Sequence, residues 1–258
     1  MIQSPKQPAD PGSFFLADRQ TDPETLRGHD FSSGAVFLLD KPAAWSSFRV
    51  VGLVRRLIGI KKVGHAGTLD PMATGLLVIC TGRATKSVSV VQDGEKCYEA
   101  LVQFGASTPS YDAETPPDIT APAAHITPEM IRDCLQTKFT GLIWQQPPMY
   151  SAIKVKGQRL YKLARKGVEV ARKDREVMIH EVRLEDYDAE TAQARLQIHC
   201  GKGTYIRSLA HDLGIALGSR AHLTALRRTR TGPYMVHNAL TASELVSRFN
   251  ADDLINLS

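Results

Sequence analysis

The chain has 258 residues, a net charge of +5 and 43% hydrophobic content, enough for one large domain or two modest ones with a real core. No apolar run nears the roughly 18 residues of a membrane span, and no basic segment precedes an apolar core at the N-terminus, so neither anchor nor secretory signal is expected. Cys80, Cys97, Cys134 and Cys200 are scattered without a C-x-x-C, which points to a reducing cytoplasm and away from structural zinc.

Residues 1–33 are dominated by Pro, Gly, Asp, Gln and Ser without an apolar period. They are expected to be a disordered N-terminal extension in which Phe14-Phe15-Leu16 can at most dock locally. Residues 35–39 read as a strand that ends at Asp40-Lys41-Pro42. Ser46 or Ser47 then caps a helix to about residue 60, with Val50, Val51, Val54, Leu57 and Ile58 at helical spacing.

The most unusual stretch follows, residues 64–75, with three glycines, His65, Asp70 and Pro71. Gly64 and Gly67 permit positive φ and close approach of another molecule, and Pro71 drives Asp70 into extended backbone. Two readings of Asp70 stand side by side on local physics. It is the N-cap of a helix with Pro71 at the first helical position, or it is a carboxylate held out to a ligand. Residues 76–80 form an apolar strand directly after it.

A short helix over 82–91, a strand over 96–105 and a polar loop over 108–122 come next. Thr127 caps a helix with Pro128 at its start, stopping at Gly141. Beyond Pro147-Pro148 an extended stretch leads to a short basic helix over 159–166. Strands over 177–182 and 194–200 precede a helix that Thr204 is expected to cap, ending at Gly218. Residues 222–236 read as extended and basic, and Thr241 with Glu244 forms a capping box for a last short helix. Strands outnumber helices and do not alternate regularly with them. This predicts an α+β fold on a mixed, largely antiparallel sheet flanked by helices. There is no P-loop or dinucleotide fingerprint, and His211 and His222 lack metal-ligand spacing, so neither cofactor nor metal is expected.

Charge is concentrated. Lys154, Lys156, Arg159, Lys162, Arg165, Lys166, Arg172, Lys173 and Arg175 face only Glu169 and Asp174, a net +7 that leaves the remaining chain at −2. A solvated face is the plain reading. Tyr161 interleaved with that much positive charge favours RNA.

Gly64-His65-Ala66-Gly67-Thr68-Leu69-Asp70-Pro71, the strand carrying Lys96-Cys97-Tyr98, and Gly203-Thr204-Tyr205-Ile206-Arg207 with Asp212-Leu213-Gly214 resemble the motif set of the TruB family of tRNA pseudouridine synthases. Pro147-Pro148-Met149-Tyr150-Ser151-Ala152-Ile153-Lys154, with Gly157, Tyr161, Ala164 and Arg165, resembles the same family's RNA-gripping insertion. The likeness runs from about residue 36 to residue 234, in the family's order and spacing.

The resemblance implies an isomerase that converts uridine to pseudouridine at position 55 in the tRNA T-loop, on a flipped-out base. By resemblance Asp70 is the nucleophile, toward ribose C1′ or ring C6, and Arg207 its ion-pair partner. Tyr98 packs on the target ring, His65 helps hold the extruded RNA, Tyr205 and Leu226 line the pocket, and Lys41 lies in a box near the active site. Lys154, Lys156, Arg159, Lys162 and Arg165 then bind RNA. Residue chemistry agrees, since base extrusion needs aromatic contacts and a dry carboxylate needs a nearby cation to stay ionised.

The expected organisation is a catalytic domain over 34–236, including an insertion at about 145–175, and a short helix and tail over 237–258. Family members commonly add a PUA domain of about 70 residues, small for a domain. None is expected in the 24 residues after Tyr234. The implied partner is the T-arm of tRNA, with no membrane, no obligatory protein partner and a cytoplasmic monomer. Two rivals are an RNA-binding protein or tRNA-folding chaperone without catalysis, and the RNA-guided branch of the synthases. Asp70, Tyr98 and Arg207 together speak against the first, and the lack of a PUA segment against the second.

Overall fold

The computed structural model describes residues 10–151, 153–155 and 157–251, the side chains of Lys154, Val155 and Arg159 excepted. The described residues confirm an α+β fold. The chain divides into two units, Met1–Lys96 with Arg227–Ser258, and Cys97–Leu226.

In the first unit the apolar runs form the antiparallel strands Ala35–Lys41 and Thr74–Thr81. Val36, Leu38, Leu76, Val78 and Cys80 are buried to within 1% and form its core with Ala66. Such continuous apolar runs suit strands covered on both faces. The helix Ser47–Ile58 packs through Val50, Val51, Leu53 and Val54, is capped by the Ser46 side chain and ends at Gly59 in the left-handed conformation. Arg227 and Arg228 pair in parallel with Thr74 and Gly75. Gly75, at φ +97°, could not be another residue, because a Cβ there would lie 2.3 Å from the Arg228 carbonyl oxygen.

The N-terminal expectation fails for residues 10–33. Phe15–Ala17 is a strand parallel to Ala35–Phe37, and Pro23–Gly28 is a helix capped by Asp22. Arg248 donates to the carbonyls of Asp18, Arg19 and Thr21, and Phe31 packs against His29, Phe37 and Phe249. A few well-placed anchors to remote residues hold this polar segment, and local composition carries no trace of them. Residues 1–9 lie outside the described residues. The helix Ala242–Arg248 begins with the expected capping box.

In the second unit the strand order is Ala221–Thr231 by its first half, Lys96–Phe104, Gln193–Cys200, Arg175–Asp188, Gly141–Gln145, and Arg175–Asp188 is antiparallel to the strand on either side of it. Buried Val177, Ile179, Val182, Leu196 and Ile198 alternate with exposed residues, the period-2 pattern of a sheet with one buried face. The helix Pro128–Lys138 packs on Arg175–Asp188, and the helix Ile206–Ala216 packs on Pro128–Lys138. Tyr205, not Thr204, is the N-cap of the latter and gives no side-chain cap; Thr204 Oγ1 donates instead to the Gly201 carbonyl. The insertion holds a short hairpin, Lys154–Val155 with Gln158–Arg159, and one helical turn, Leu160–Ala164. Among the described residues no helix is long and apolar enough to cross a membrane.

Candidate active site

Asp70 caps no helix. Residues 66–73 form an irregular loop closed by the Ala73 amide donating to the Asp70 carbonyl, 3.1 Å, and the next element is the strand Thr74–Thr81. Pro71 at a helix start is outcompeted by the pairing of that strand. The Asp70 carboxylate is thus held on a half-buried loop.

Three side chains of the first unit pin that loop. Ser47 Oγ accepts from the Leu69 amide (2.9 Å) and donates to the Leu69 carbonyl (3.0 Å). Lys41 is fully buried, and its ammonium donates to the carbonyls of Pro42 (2.8 Å), Trp45 (2.7 Å) and Pro71 (3.2 Å). Arg228, 1% exposed, donates from Nε to the Leu76 carbonyl (2.7 Å) and from Nη2 to the Gly67 carbonyl (3.2 Å). Arg227 closes the strand end on Asp40 with two contacts, 3.0 and 2.6 Å.

The electrostatics follow. Burial pushes the Lys41 ammonium down to about 8, the attraction of Asp70 opposes that, and Arg228 adds to it. The attraction is mutual, so a charged Lys41 favours the ionised Asp70 carboxylate. Burial and then the Arg228 charge hold His65 below the ordinary histidine value, which leaves its ring neutral at neutral pH. Lys41, expected in a box near the active site, has all three donors on backbone carbonyls and no exposed surface. It shapes the loop through those carbonyls.

The second unit gathers another cluster. Arg207, in the first turn of its helix and 3% exposed, donates to the carbonyls of Ser110 (3.0 Å) and Tyr150 (2.8 Å) and pairs with Asp112 at 3.4 Å. Asp112 is fully buried, and its Oδ1 accepts from Ser110 Oγ (2.6 Å) and the Glu114 amide (3.0 Å). Removing either partner of so buried a pair would strand a charge. Neighbouring Tyr111 sits at φ +63°, rare for a bulky residue, and stacks on His211 at 3.8 Å.

Tyr205 is fixed through its backbone: its amide donates to Gln145 Oε1 (2.7 Å) and its carbonyl accepts from Gln145 Nε2 (2.9 Å). The Arg175 guanidinium lies 5.7 Å from its ring centroid. Tyr98 is half-buried on the strand face it shares with Ala100, Val102 and Phe104, and Leu226 is buried. His222 is buried, with Nδ1 2.8 Å from the Ala106 carbonyl.

In the insertion Lys162 and Arg165 are exposed; Arg165 pairs with Glu114 at 3.1 Å and lies 5.7 Å from the Tyr161 ring. Lys156, and the side chains of Lys154 and Arg159, lie outside the described residues. Sequence reasoning missed Ser47, Arg228 and Asp112 as supports. Arg228 was visible in a basic run, but nothing local separates a buried arginine from the exposed ones beside it.

Comparison with known proteins gives these clusters a context. Residues 55–206 match the TruB family pseudouridylate synthase N-terminal domain, and residues 207–254 the tRNA pseudouridylate synthase B C-terminal domain. A tRNA pseudouridine synthase B of Phocaeicola vulgatus is 45% identical over 236 residues, covering 88% of this chain and 99% of the relative. One of Bacteroides thetaiotaomicron is 48% identical over 219 residues, covering 82% and 91%. Among solved structures, a chain of a Cbf5-Nop10-Gar1 complex superposes with a TM-score of 0.62 at 26% identity, over 94% of this chain and 61% of that one. The N-terminal family match alone spans more than half of the chain and these relatives align with more than four fifths of it, so the chain belongs to the TruB family of pseudouridylate synthases.

Proposed function

We propose that this protein isomerises uridine to pseudouridine at position 55 in the T-loop of tRNA, with Asp70 as the nucleophile. Pseudouridine synthesis on tRNA is the activity of its relatives, and the family match carries it to this chain. The observation that supports Asp70 is its loop. The carboxylate is carried on half-buried backbone that three buried side chains hold, with the Lys41 cation there to favour its charged form.

The reaction breaks the bond from uracil N1 to ribose C1′ and makes one from C5 to C1′. A proton leaves C5 and N1 regains one, so no hydride or phosphoryl donor is consumed. Asp70 attacks C1′ or C6 and departs when the new bond is complete. Tyr98, Tyr205 and Leu226 are assigned contacts with the target nucleotide, and Arg207, fixed by Asp112, a charge contact near it. His65 is assigned to the extruded RNA, a role its neutral, ring-shaped side chain suits. The exposed cations of the insertion are assigned to T-arm phosphates. The protein acts on tRNA as a cytoplasmic monomer without a protein partner.

The test is tritium release from unmodified tRNA labelled at uridine C5, with wild type beside Asp70→Asn. Release by wild type alone, with the variant down at least a thousandfold and still binding tRNA, is the expected result. Turnover by purified Asp70→Asn would remove Asp70 from its role. Tight binding by wild type without release would favour an RNA-binding or chaperone activity.

A further inference from the structure

We infer that Phe48 is a stacking platform for a second nucleobase of the RNA substrate, next to the Asp70 loop. The inference rests on the activity proposed above. Phe48 is 60% exposed, although it lies in the first turn of an otherwise well-packed helix. A single exposed apolar residue is ordinary, but four observations within the first unit set this one apart.

The helix does not need it. The buried face of Ser47–Ile58 is completed by Val50, Val51, Leu53 and Val54, and Phe48 is off that face. Its place is fixed relative to the reactive loop. The preceding residue, Ser47, holds both backbone groups of Leu69, the residue before Asp70.

Its ring geometry leaves a face open. Phe48 meets His65 in a perpendicular, edge-to-face contact, with centroids 5.8 Å apart at 88°, so His65 covers at most one of the two faces of the Phe48 ring. The next residue, Arg49, lies 4.1 Å over the Trp45 ring, which puts a positive charge on a second aromatic ring at the start of the same helix. A nucleotide supplies both halves of the match, a flat base and an anionic phosphate.

Gly52 is the fourth observation. It stands one turn after Phe48, at i+4, where side chains are neighbours on a helix surface. Glycine inside a helix is unfavourable, and packing does not require it here: a Cβ at Gly52 would meet nothing within 4 Å. The missing side chain leaves the ground beside the Phe48 ring clear for another molecule. Bases extruded or unstacked in single-stranded loops are taken up on such aromatic faces. The occupant is therefore a base of the tRNA loop other than the target uridine.

The experiment measures tritium release from C5-labelled unmodified tRNA with full-length wild type, Phe48→Ala, Phe48→Trp and Gly52→Leu, with thermal unfolding of each. Truncating a base-stacking aromatic costs about tenfold or more in affinity. Phe48→Ala should thus lower kcat/KM at least tenfold with an unchanged unfolding midpoint. Phe48→Trp should restore it to within about threefold of wild type. Gly52→Leu, which covers the platform, should fold at least as stably as wild type and lose activity like Phe48→Ala. Wild-type kcat/KM in Phe48→Ala, with an active wild type, would overturn the platform alone. So would a loss that Phe48→Trp fails to restore. An inactive wild type would overturn the functional reading and the platform with it.

Discussion

The Asp70 loop and the basic insertion are both rich in cations, and they use them in opposite ways. Around the loop, Lys41 and Arg228 are buried to 0% and 1%, and their donors are spent on backbone carbonyls. In the insertion, Lys162, Arg165 and Lys166 are exposed, Arg165 in a surface pair with Glu114. Buried cations give the loop a single shape, because each abandoned carbonyl would be a desolvated, unsatisfied acceptor. Exposed ones contribute little to folding and are available to a polyanion. The same residue type is scaffold in one place and candidate contact in the other.

The strongest way to break this comparison is Arg228→Met. It leaves the Gly67 and Leu76 carbonyls without their donor, and should destabilise the protein by about 3 kcal/mol, the scale of lost buried, charge-assisted hydrogen bonds. Urea denaturation reads this directly; a wild-type midpoint would show that Arg228 pins nothing. A smaller effect is expected when Lys162, Arg165 and Lys166 are changed together to Gln. Stability should stay put, tRNA affinity should fall about tenfold, and the slope of log affinity against log salt should become shallower by about 2. An unchanged slope would return the insertion to a solvated face.

The smallest effect sharpens the contrast by pH. The folded Lys41 ammonium titrates at about 8 because burial disfavours the charge, whereas the unfolded lysine keeps its proton to about 10.4. Between these values the unfolded chain binds more protons, so folding stability should rise with pH. Lys41→Met should remove that part of the slope. Pseudouridine formation should move the other way and fall above about pH 8, as the neutral amine ceases to attract Asp70. A flat activity profile from pH 7 to 9.5 would separate Lys41 from the chemistry.

Much of the architecture was legible from local pattern. Helical spacing of Val50, Val51 and Val54, the Thr127-Pro128 start and the Thr241–Glu244 box each announce their element, because caps and periodicity act within a few residues. The Asp70 loop was legible for the same reason, as glycine, aspartate and proline are turn chemistry. The segment over 10–33 was misread because its hold comes from Arg248 and Phe249, more than two hundred residues on. Asp112 was missed because an aspartate in a polar loop looks like any turn residue until Arg207 is set against it.

Sequence alone therefore determined where much of the chain turns, which stretches pair or coil, and that Asp70 stands in a glycine-flanked turn. The tertiary structure alone decided which charges lose their water. Burial of Lys41, Arg228, Asp112 and Arg207 depends on strands and loops far apart in the chain closing over them. No local pattern encodes that, since a charged side chain reads the same on paper whether it meets solvent or a carbonyl.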